Sequence, residues 1–340
     1  MGRGKLITVI GATGVGKSAY ALQLAKELNT EIVSADSRQI YRGMVIGTDA
    51  PSEEDRAAVP HHFVQCREIT EPYSAYQYAE EALALLDTLL TKYPVVVAVG
   101  GSMMYLQALL YEMDEVPLPS PTLREALWER FHEEGVVPLR EELQKVDPDY
   151  LARIDPNNHK RIIRALEVYH TTGRPFSSFH TTPAPRKLPF EVELRMVTRP
   201  REELYERINR RVEQMVAKGL VEEVRSLLPY REYNALNTIG YKEIFQYLDG
   251  DISLEEATRL IAKHSRTYAR QQIAFFSKWQ GTEVPLSGKS VGVPFSDKSV
   301  GVPFSDKSVG VPFSDKSVGV PFSDKSDRSD KSDKSDAPPR

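Results

Sequence analysis

The chain has 340 residues, of which 41% are hydrophobic, and a formal net charge of −4. That length accommodates two or three domains and a sizeable core, while the overall charge gives no global sign of nucleic-acid binding, so any such role must rest on local clusters. Cys66 is the only cysteine, which excludes an intramolecular disulfide framework and a cysteine-based zinc site and fits a reducing cytoplasm; the N-terminal apolar run is too short for a signal peptide, and no stretch is long enough to span a membrane.

The first predicted element is a short strand, Leu6-Ile7-Thr8-Val9-Ile10. GATGVGKS follows from Gly11 to Ser18, then a helical pattern from Ala19 to Leu28. Strand, glycine loop and helix are the context that the G-x-x-x-x-G-K-[ST] motif requires. Gly11 and Gly16 permit the tight turns that point consecutive N–H groups, across Ala12, Thr13, Gly14 and Val15, into one concavity. The helix N-terminus adds positive potential, Lys17 a mobile cation, and the Ser18 hydroxyl a ligand for Mg²⁺. The stretch reads as a cradle for a diphosphate or triphosphate. It does not say which compound binds, or whether a phosphoryl group is transferred.

Residues 31–36, EIVSAD, read as a second strand ending on Asp36, followed by Ser37-Arg38-Gln39-Ile40-Tyr41. In an open α/β sheet ligands lie beyond the carboxyl ends of the strands, so Asp36 is expected near the phosphate loop. A carboxylate there is costly unless it binds the metal or moves a proton, although a capping or turn aspartate is commoner in general. Residues 47–64 read as loop, and the adjacent His61 and His62 lack metal-ligand spacing. Tyr73 to Leu90 reads as an amphipathic helix, capped by Ser74, with Tyr76, Ala79, Leu83, Leu86 and Leu90 as its apolar stripe.

Pro94 to Gly101 has the composition of a fully buried strand. Many phosphate-loop ATPases and GTPases end such a strand on an aspartate that helps hold Mg²⁺. Here it ends in Gly100-Gly101-Ser102, which shifts the metal or base role toward Asp36. The two glycines would let a ligand approach the backbone, and Ser102 would donate a hydrogen bond to it.

Leu110 to Ser120 is a proline-marked break, and from Thr122 to about Leu188 the chain reads as largely helical, punctuated by Asp147-Pro148 and Asp155-Pro156. The helix from His159 to Tyr169 carries Lys160, Arg161 and Arg164 at its N-terminal end, against the macrodipole, which suggests an anionic partner. Residues 153–211 hold 13 Lys/Arg against 7 Asp/Glu, the best local sign of a polyanion surface in an acidic chain. A strand over Glu191 to Val197 returns to the sheet. Helices follow over Arg201 to Lys218, Val221 to Leu228, Lys242 to Tyr247 and Leu254 to Trp279, with a turn at Asn237 to Tyr241. Lys263, Arg266 and Arg270 share a face of the last helix, and Tyr268, Phe275 and Phe276 read as core. Beyond that, SDKSVGVPF repeats every nine residues, with too little apolar bulk for a stacked core.

The expected fold is α/β: a P-loop NTPase-like core with a parallel sheet, a helical insertion domain and a disordered repeat tail. The expected boundaries are 1–115 for the first part of the core, 116–190 for the insertion, 191–284 for the returning strand and C-terminal helices, and 285–340 for the tail.

Eight stretches in order, GATGVGKS (11–18), DSRQIY (36–41), GTDAP (47–51), PHHF (60–63), GGSMMYL (100–106), NNHKRIIRALEVY (157–169), TGRPFS (172–177) and NTIGYKEI (237–244), together resemble one family. It is the tRNA dimethylallyltransferases, also called tRNA isopentenyltransferases, and the resemblance runs from about Leu6 to Trp279. It implies transfer of a dimethylallyl group from dimethylallyl diphosphate to N6 of adenosine 37, beside the tRNA anticodon, with Mg²⁺ assisting and diphosphate leaving. It also implies that the insertion clasps the anticodon stem-loop, that Asp36 is the general base, and that Ser102 stands where the family usually has Thr. Lys17 and the loop from Gly11 would hold the diphosphate, with Ser18 on the metal. Contacts to tRNA are expected from Asp36, Ser37, Arg38, Gln39, Ser102, Arg124, Lys160, Arg161, Ile162, Ile163 and Arg164. Nothing demands more than a monomer.

That chemistry suits the residues. A carboxylate can take the proton from a poorly nucleophilic amine as the C–N bond forms, and a phosphate loop can stabilise a departing diphosphate without phosphoryl transfer. The target base must leave its stack to reach a buried site. Three other functions share parts of the pattern. A prenyltransferase for free adenine nucleotides would not need the basic insertion. A small-molecule kinase would phosphorylate with ATP, and a noncatalytic RNA-binding protein would not bind a diphosphate.

Overall fold

The structure is a computed structural model that describes residues 4–179 and 184–286. Six strands, β1 (Lys5–Gly11), β2 (Ile32–Ala35), β3 (His61–His62), β4 (Val95–Gly100), β5 (Glu191–Thr198) and β6 (Thr282–Pro285), form one sheet in the order β3-β2-β4-β1-β5-β6. Every neighbouring pair is parallel. The apolar runs of β1 and β4 follow from this, because a parallel strand covered on both faces must bury both sets of side chains.

Helices α1 (Lys17–Glu27), α2 (Glu53–Ala58), α3 (Ala75–Lys92) and α4 (Met103–Leu110) belong to the first part of the core. The insertion comprises α5 (Pro121–Glu134), α6 (Val136–Val146), α7 (Pro148–Leu151) and α8 (His159–Thr172). Then come α9 (Arg201–Ala217), α10 (Leu220–Ser226), α11 (Tyr241–Leu248) and α12 (Leu254–Phe276). Local chemistry sets many of the starts. Ser74 and Gln77 make a reciprocal capping box on α3. Ser120 caps α5 with Pro121 in its first turn, Asn158 caps α8 and Ser253 caps α12.

Leu6, Ile10, Val96 and Ala98 pack one face of the sheet against α3, α4, Phe276 and Trp279. Ile7, Val9, Val97 and Val99 pack the other against α1 and, through Leu204 and Ile208, α9. A third apolar cluster joins the segment from Ile40 to Ile69 to α9–α12. The insertion has its own core, including Leu127, Leu139, Leu143, Ile163 and Leu166. Its neck is tied where Glu112 N–H donates to Ala184 O at 2.7 Å and Arg186 N–H to Leu110 O at 3.0 Å.

Several expectations change. Residues 47–64 are not all loop: Ser52 caps α2, and β3 exists because His61 and His62 pair with Ile32 and Val33. On α3 the buried side chains are Tyr78, Ala79, Ala82, Leu86, Leu89 and Leu90, while Tyr76 and Leu83 are only half-buried, because the helix packs against both the sheet and α4. Helical structure in the insertion ends with a 3-10 turn at Phe176–Phe179, and 184–190 run without helix into β5. The last helix stops at Phe276, and Trp279 packs beyond it. Residues 285 and 286 belong to the fold: Pro285 closes β6, and buried Leu286 donates its N–H to Thr198 O at 2.9 Å. The repeats from 287 onward lie outside the described residues.

Candidate active site

The phosphate loop links the end of β1 to the start of α1. Gly11 has φ of 149°, and a Cβ there would stand 2.6 Å from Val197 O, so only glycine lets β1 turn off beside β5. Lys17 Nζ donates to Ala12 O at 2.8 Å. Burial lowers its pKa to about 8, with the negative charge of Asp36 opposing that fall.

Side chains far away in sequence brace the loop. Gln272 on α12, 1% exposed, accepts from Thr13 N–H at 2.7 Å and donates to Gly101 O at 2.8 Å. Arg199 Nε donates to Val15 O at 3.2 Å, Arg207 Nε to Gly14 O at 3.0 Å, and Arg211 Nη1 to Thr13 Oγ1 at 3.1 Å. These guanidinium donors, two on loop carbonyls and one on the Thr13 hydroxyl, hold the loop in orientation. Thr13 N–H is engaged by Gln272, and Val15 N–H donates to Ala12 O at 3.3 Å. The free inward donors are therefore fewer than the motif suggests.

Asp36 follows directly on β2, at the carboxyl edge of the sheet. Its Oδ1 accepts from the N–H groups of Arg38 at 2.9 Å and Gln39 at 3.2 Å, which fixes the carboxylate in an Asx-type turn. Ser102 is 8% exposed; its Oγ accepts from Ser37 N–H at 2.8 Å and donates to Ser37 Oγ at 3.1 Å. It braces the Asp36 turn rather than offering its proton directly to a ligand. The two glycines before it are closely packed. A Cβ on Gly100 would lie 2.2 Å from Ala35 O, and one on Gly101 would lie 2.5 Å from Gln272 Nε2. Their smallness admits the neighbouring protein, and both glycines line the same cleft as Lys17 and Asp36.

These elements open onto one cleft of about 770 Å³. Thr13, Lys17, Ser18, Asp36, Ser37, Arg38, Gln39 and Ser102 all line it. Gln39 Nε2 donates to the carbonyls of Thr48 and Asp49 at 3.1 and 3.0 Å, and Asp49 pairs with Arg211 at 3.4 Å. The turn before α11 forms another wall. Glu243, 2% exposed, accepts from Gly240 N–H at 2.8 Å and pairs with His264 Nδ1 at 2.6 Å. On the same turn, burial and then the nearby Lys160 lower the pKa of Lys242. The apolar lining includes Met103, Met104, Ile208, Met215 and Phe275.

Lys160 and Arg164 of the insertion reach this cleft. Ile162 and Ile163 do not: on an amphipathic helix they face the insertion's own core, where they are 0% and 2% exposed. The Arg161 N–H meets the capping Asn158 side chain. Arg124 lies on α5 in a 2.7 Å ion pair with Glu167, a buried carboxylate that Arg164 also contacts at 3.2 Å. Gln272, Arg207 and Arg211 escaped the sequence reading, since nothing local marks them. Tyr268 was expected in the core but lines the cleft, its hydroxyl 3.5 Å from Gly101 O. Burial, followed by the charge of Asp36, raises its pKa strongly.

The donor set suits Mg²⁺. Ser18, Asp36 and Asp49 bring hard oxygen donors to the cleft, and among the described residues no cluster of three His, Cys, Asp or Glu side chains forms a metal cage. Mg²⁺ ordinarily binds through one or two protein oxygens together with substrate phosphates and water.

The family model described as IPP transferase matches residues 39–279. The chain is 46% identical over 273 residues to tRNA dimethylallyltransferase 1 of Bacteroides thetaiotaomicron, covering 80% of this chain and 88% of that one. This chain belongs to that family. It is 45% identical to the tRNA dimethylallyltransferase of Cytophaga hutchinsonii, over 80% of this chain and 90% of the relative. Among solved structures, the tRNA isopentenylpyrophosphate transferase of Bacillus halodurans matches with TM-score 0.59 and 35% identity, covering 83% of this chain and 89% of its own. A eukaryotic dimethylallyltransferase acting on tRNA shares the fold, with TM-score 0.67 at 23% identity, over 83% of this chain and 74% of its own.

Proposed function

We propose that the protein transfers a dimethylallyl group from dimethylallyl diphosphate to N6 of adenosine 37 in tRNA, releasing diphosphate. One observation carries this reading: Lys17 of the phosphate loop, the Asp36 carboxylate, and Lys160 and Arg164 of the insertion line a single cleft. A cradle for the leaving group, a base for the amine and cations for a nucleic-acid backbone are the three parts that the reaction needs.

The phosphate loop and Lys17 bind the diphosphate and stabilise the charge that grows on it as the C–O bond breaks. Asp36 accepts the N6 proton as the new C–N bond forms, its orientation set by Arg38 N–H, Gln39 N–H and the Ser102–Ser37 pair. Adenosine enters flipped from its stack. Lys160 and Arg164 hold phosphates of the anticodon stem-loop. Ser18, with Asp49 also lining the cleft, would hold a Mg²⁺ ion that neutralises charge on the diphosphate. Both walls of the cleft come from one chain, which supports action as a monomer. No described helix is long and apolar enough to cross a membrane, and we place the enzyme in the cytoplasm.

The deciding experiment offers labelled dimethylallyl diphosphate and Mg²⁺ with total tRNA and AMP in parallel. Label at the adenosine beside the anticodon is the expected result. Label in AMP alone would make the protein a nucleotide prenyltransferase. Label in neither, with ATP-dependent phosphorylation of a small molecule instead, would make it a kinase.

A further inference from the structure

Seven large hydrophobic residues stand exposed among the described residues, and three of them, Leu228, Tyr230 and Tyr233, fall within six positions of one another. Tyr230 is 40% and Tyr233 43% exposed, with ring centroids 6.2 Å apart. Leu228 and Tyr230 lie on a short 3-10 turn, Leu228–Tyr230, and Tyr233 immediately precedes a second, Asn234–Leu236; the backbone is fixed by Tyr230 N–H to Leu227 O and Tyr233 N–H to Tyr230 O, both at 2.9 Å. No packing requirement explains two exposed rings on a segment this well held.

The surroundings give the segment a role. Asn234, next to Tyr233, lines the cleft, as do Asn237 and Thr238. Arg38 Nη1 donates to the carbonyls of Asn234 and Ala235 at 2.9 and 3.2 Å, so the tyrosine segment is bolted to the turn that carries Asp36. Within the segment Arg231 is held in an ion pair with Asp249 and lies over the Phe245 ring at 5.1 Å. The segment is thus a rigid rim beside a cleft that also presents Arg38, Lys160 and Lys242. Exposed aromatic faces beside a track of cations are the means by which proteins hold unpaired nucleotides.

We propose that Tyr230 and Tyr233 form an aromatic shelf on which an unpaired base of the tRNA loop, next to the target adenosine, stacks when that adenosine enters the cleft. The shelf replaces stacking that the neighbouring base loses when the adenosine flips out. It rests on the reading of tRNA as substrate.

The test uses the full chain, with Tyr230→Ala, Tyr233→Ala, the double alanine variant and the conservative double phenylalanine variant. Transfer kinetics are measured on tRNA. Separately, 2-aminopurine is placed in an anticodon stem-loop at each position flanking the target adenosine, and its fluorescence is read on binding. The double alanine variant should raise KM for tRNA about tenfold, leave KM for dimethylallyl diphosphate unchanged and lose the stacking quench seen with the unsubstituted protein. The phenylalanine variant should restore both. A merely structural role would lower the melting temperature and would not leave one substrate's KM untouched. Unchanged KM for tRNA and unchanged quenching in the double alanine variant would overturn the shelf alone. Absence of any transfer to tRNA by the unsubstituted protein would overturn the substrate reading, and the shelf with it.

Discussion

Replacing Gln272 with Met keeps the volume of a side chain that is 1% exposed but removes both bonds linking the phosphate loop to the end of β4. Thr13 N–H, part-buried at the cleft, loses its acceptor at 2.7 Å; an unsatisfied donor costs about 1–3 kcal/mol when buried, and this one falls at the low end. Gly101 O loses its donor at 2.8 Å, but the Tyr268 hydroxyl, 3.5 Å away, can close on it, so that loss falls at the low end of the same range. The expected sum is about 1–2 kcal/mol, read as a drop in the denaturant midpoint. Because Thr13 is part of the cradle, KM for dimethylallyl diphosphate should rise with it. Gln272→Glu separates the two bonds: it retains an acceptor for Thr13 but sets a carboxylate oxygen against the Gly101 carbonyl. It should lose comparable stability and keep more of the diphosphate affinity. A Gln272→Met protein with stability within about 0.5 kcal/mol of the parent and an unchanged KM would refute the claim that this bridge shapes the loop.

Asp36→Asn preserves the oxygen that caps Arg38 and Gln39 and removes the base. It should lower kcat by roughly 10²–10⁴-fold while leaving thermal stability and KM for tRNA nearly unchanged; near-parental turnover would remove Asp36 from the chemistry. Lys17, with its pKa brought down to about 8, is charged below that pH and neutral above it. Diphosphate affinity measured by calorimetry should therefore decline as pH rises through about 8 in the parent, and less so in Lys17→Arg. Gly100→Ala places a Cβ 2.2 Å from Ala35 O, forcing β2 and β4 apart at a cost of about 2–3 kcal/mol; an unshifted melting temperature would contradict that close approach. Lys160→Ala should weaken tRNA binding and reduce the salt dependence of log K by about one phosphate contact, which a binding titration at several salt concentrations would show.

Much of this molecule is written locally. GATGVGKS between an apolar strand and a helix fixes the phosphate loop, and Asp36 at a strand end fixes the carboxylate's place at the cleft. The caps at Ser74, Ser120 and Asn158 lie beside the helices they start. Each depends on backbone chemistry over a few residues, and so survives reading as sequence. What lies across the fold does not. Thr13 and Gln272 are 259 positions apart, and Tyr268, one turn earlier, carries the same apolar signature as a core residue. On α8 the sequence marked a basic run; only packing separates Lys160 and Arg164, which reach the cleft, from Ile162 and Ile163, which are buried away from it. The short β3 and β6 are strands only because Ile32 and Arg195 present open edges to them. Periodicity and capping are short-range effects, whereas the choice of which face meets the cleft is made by the packing of elements brought together in the folded chain.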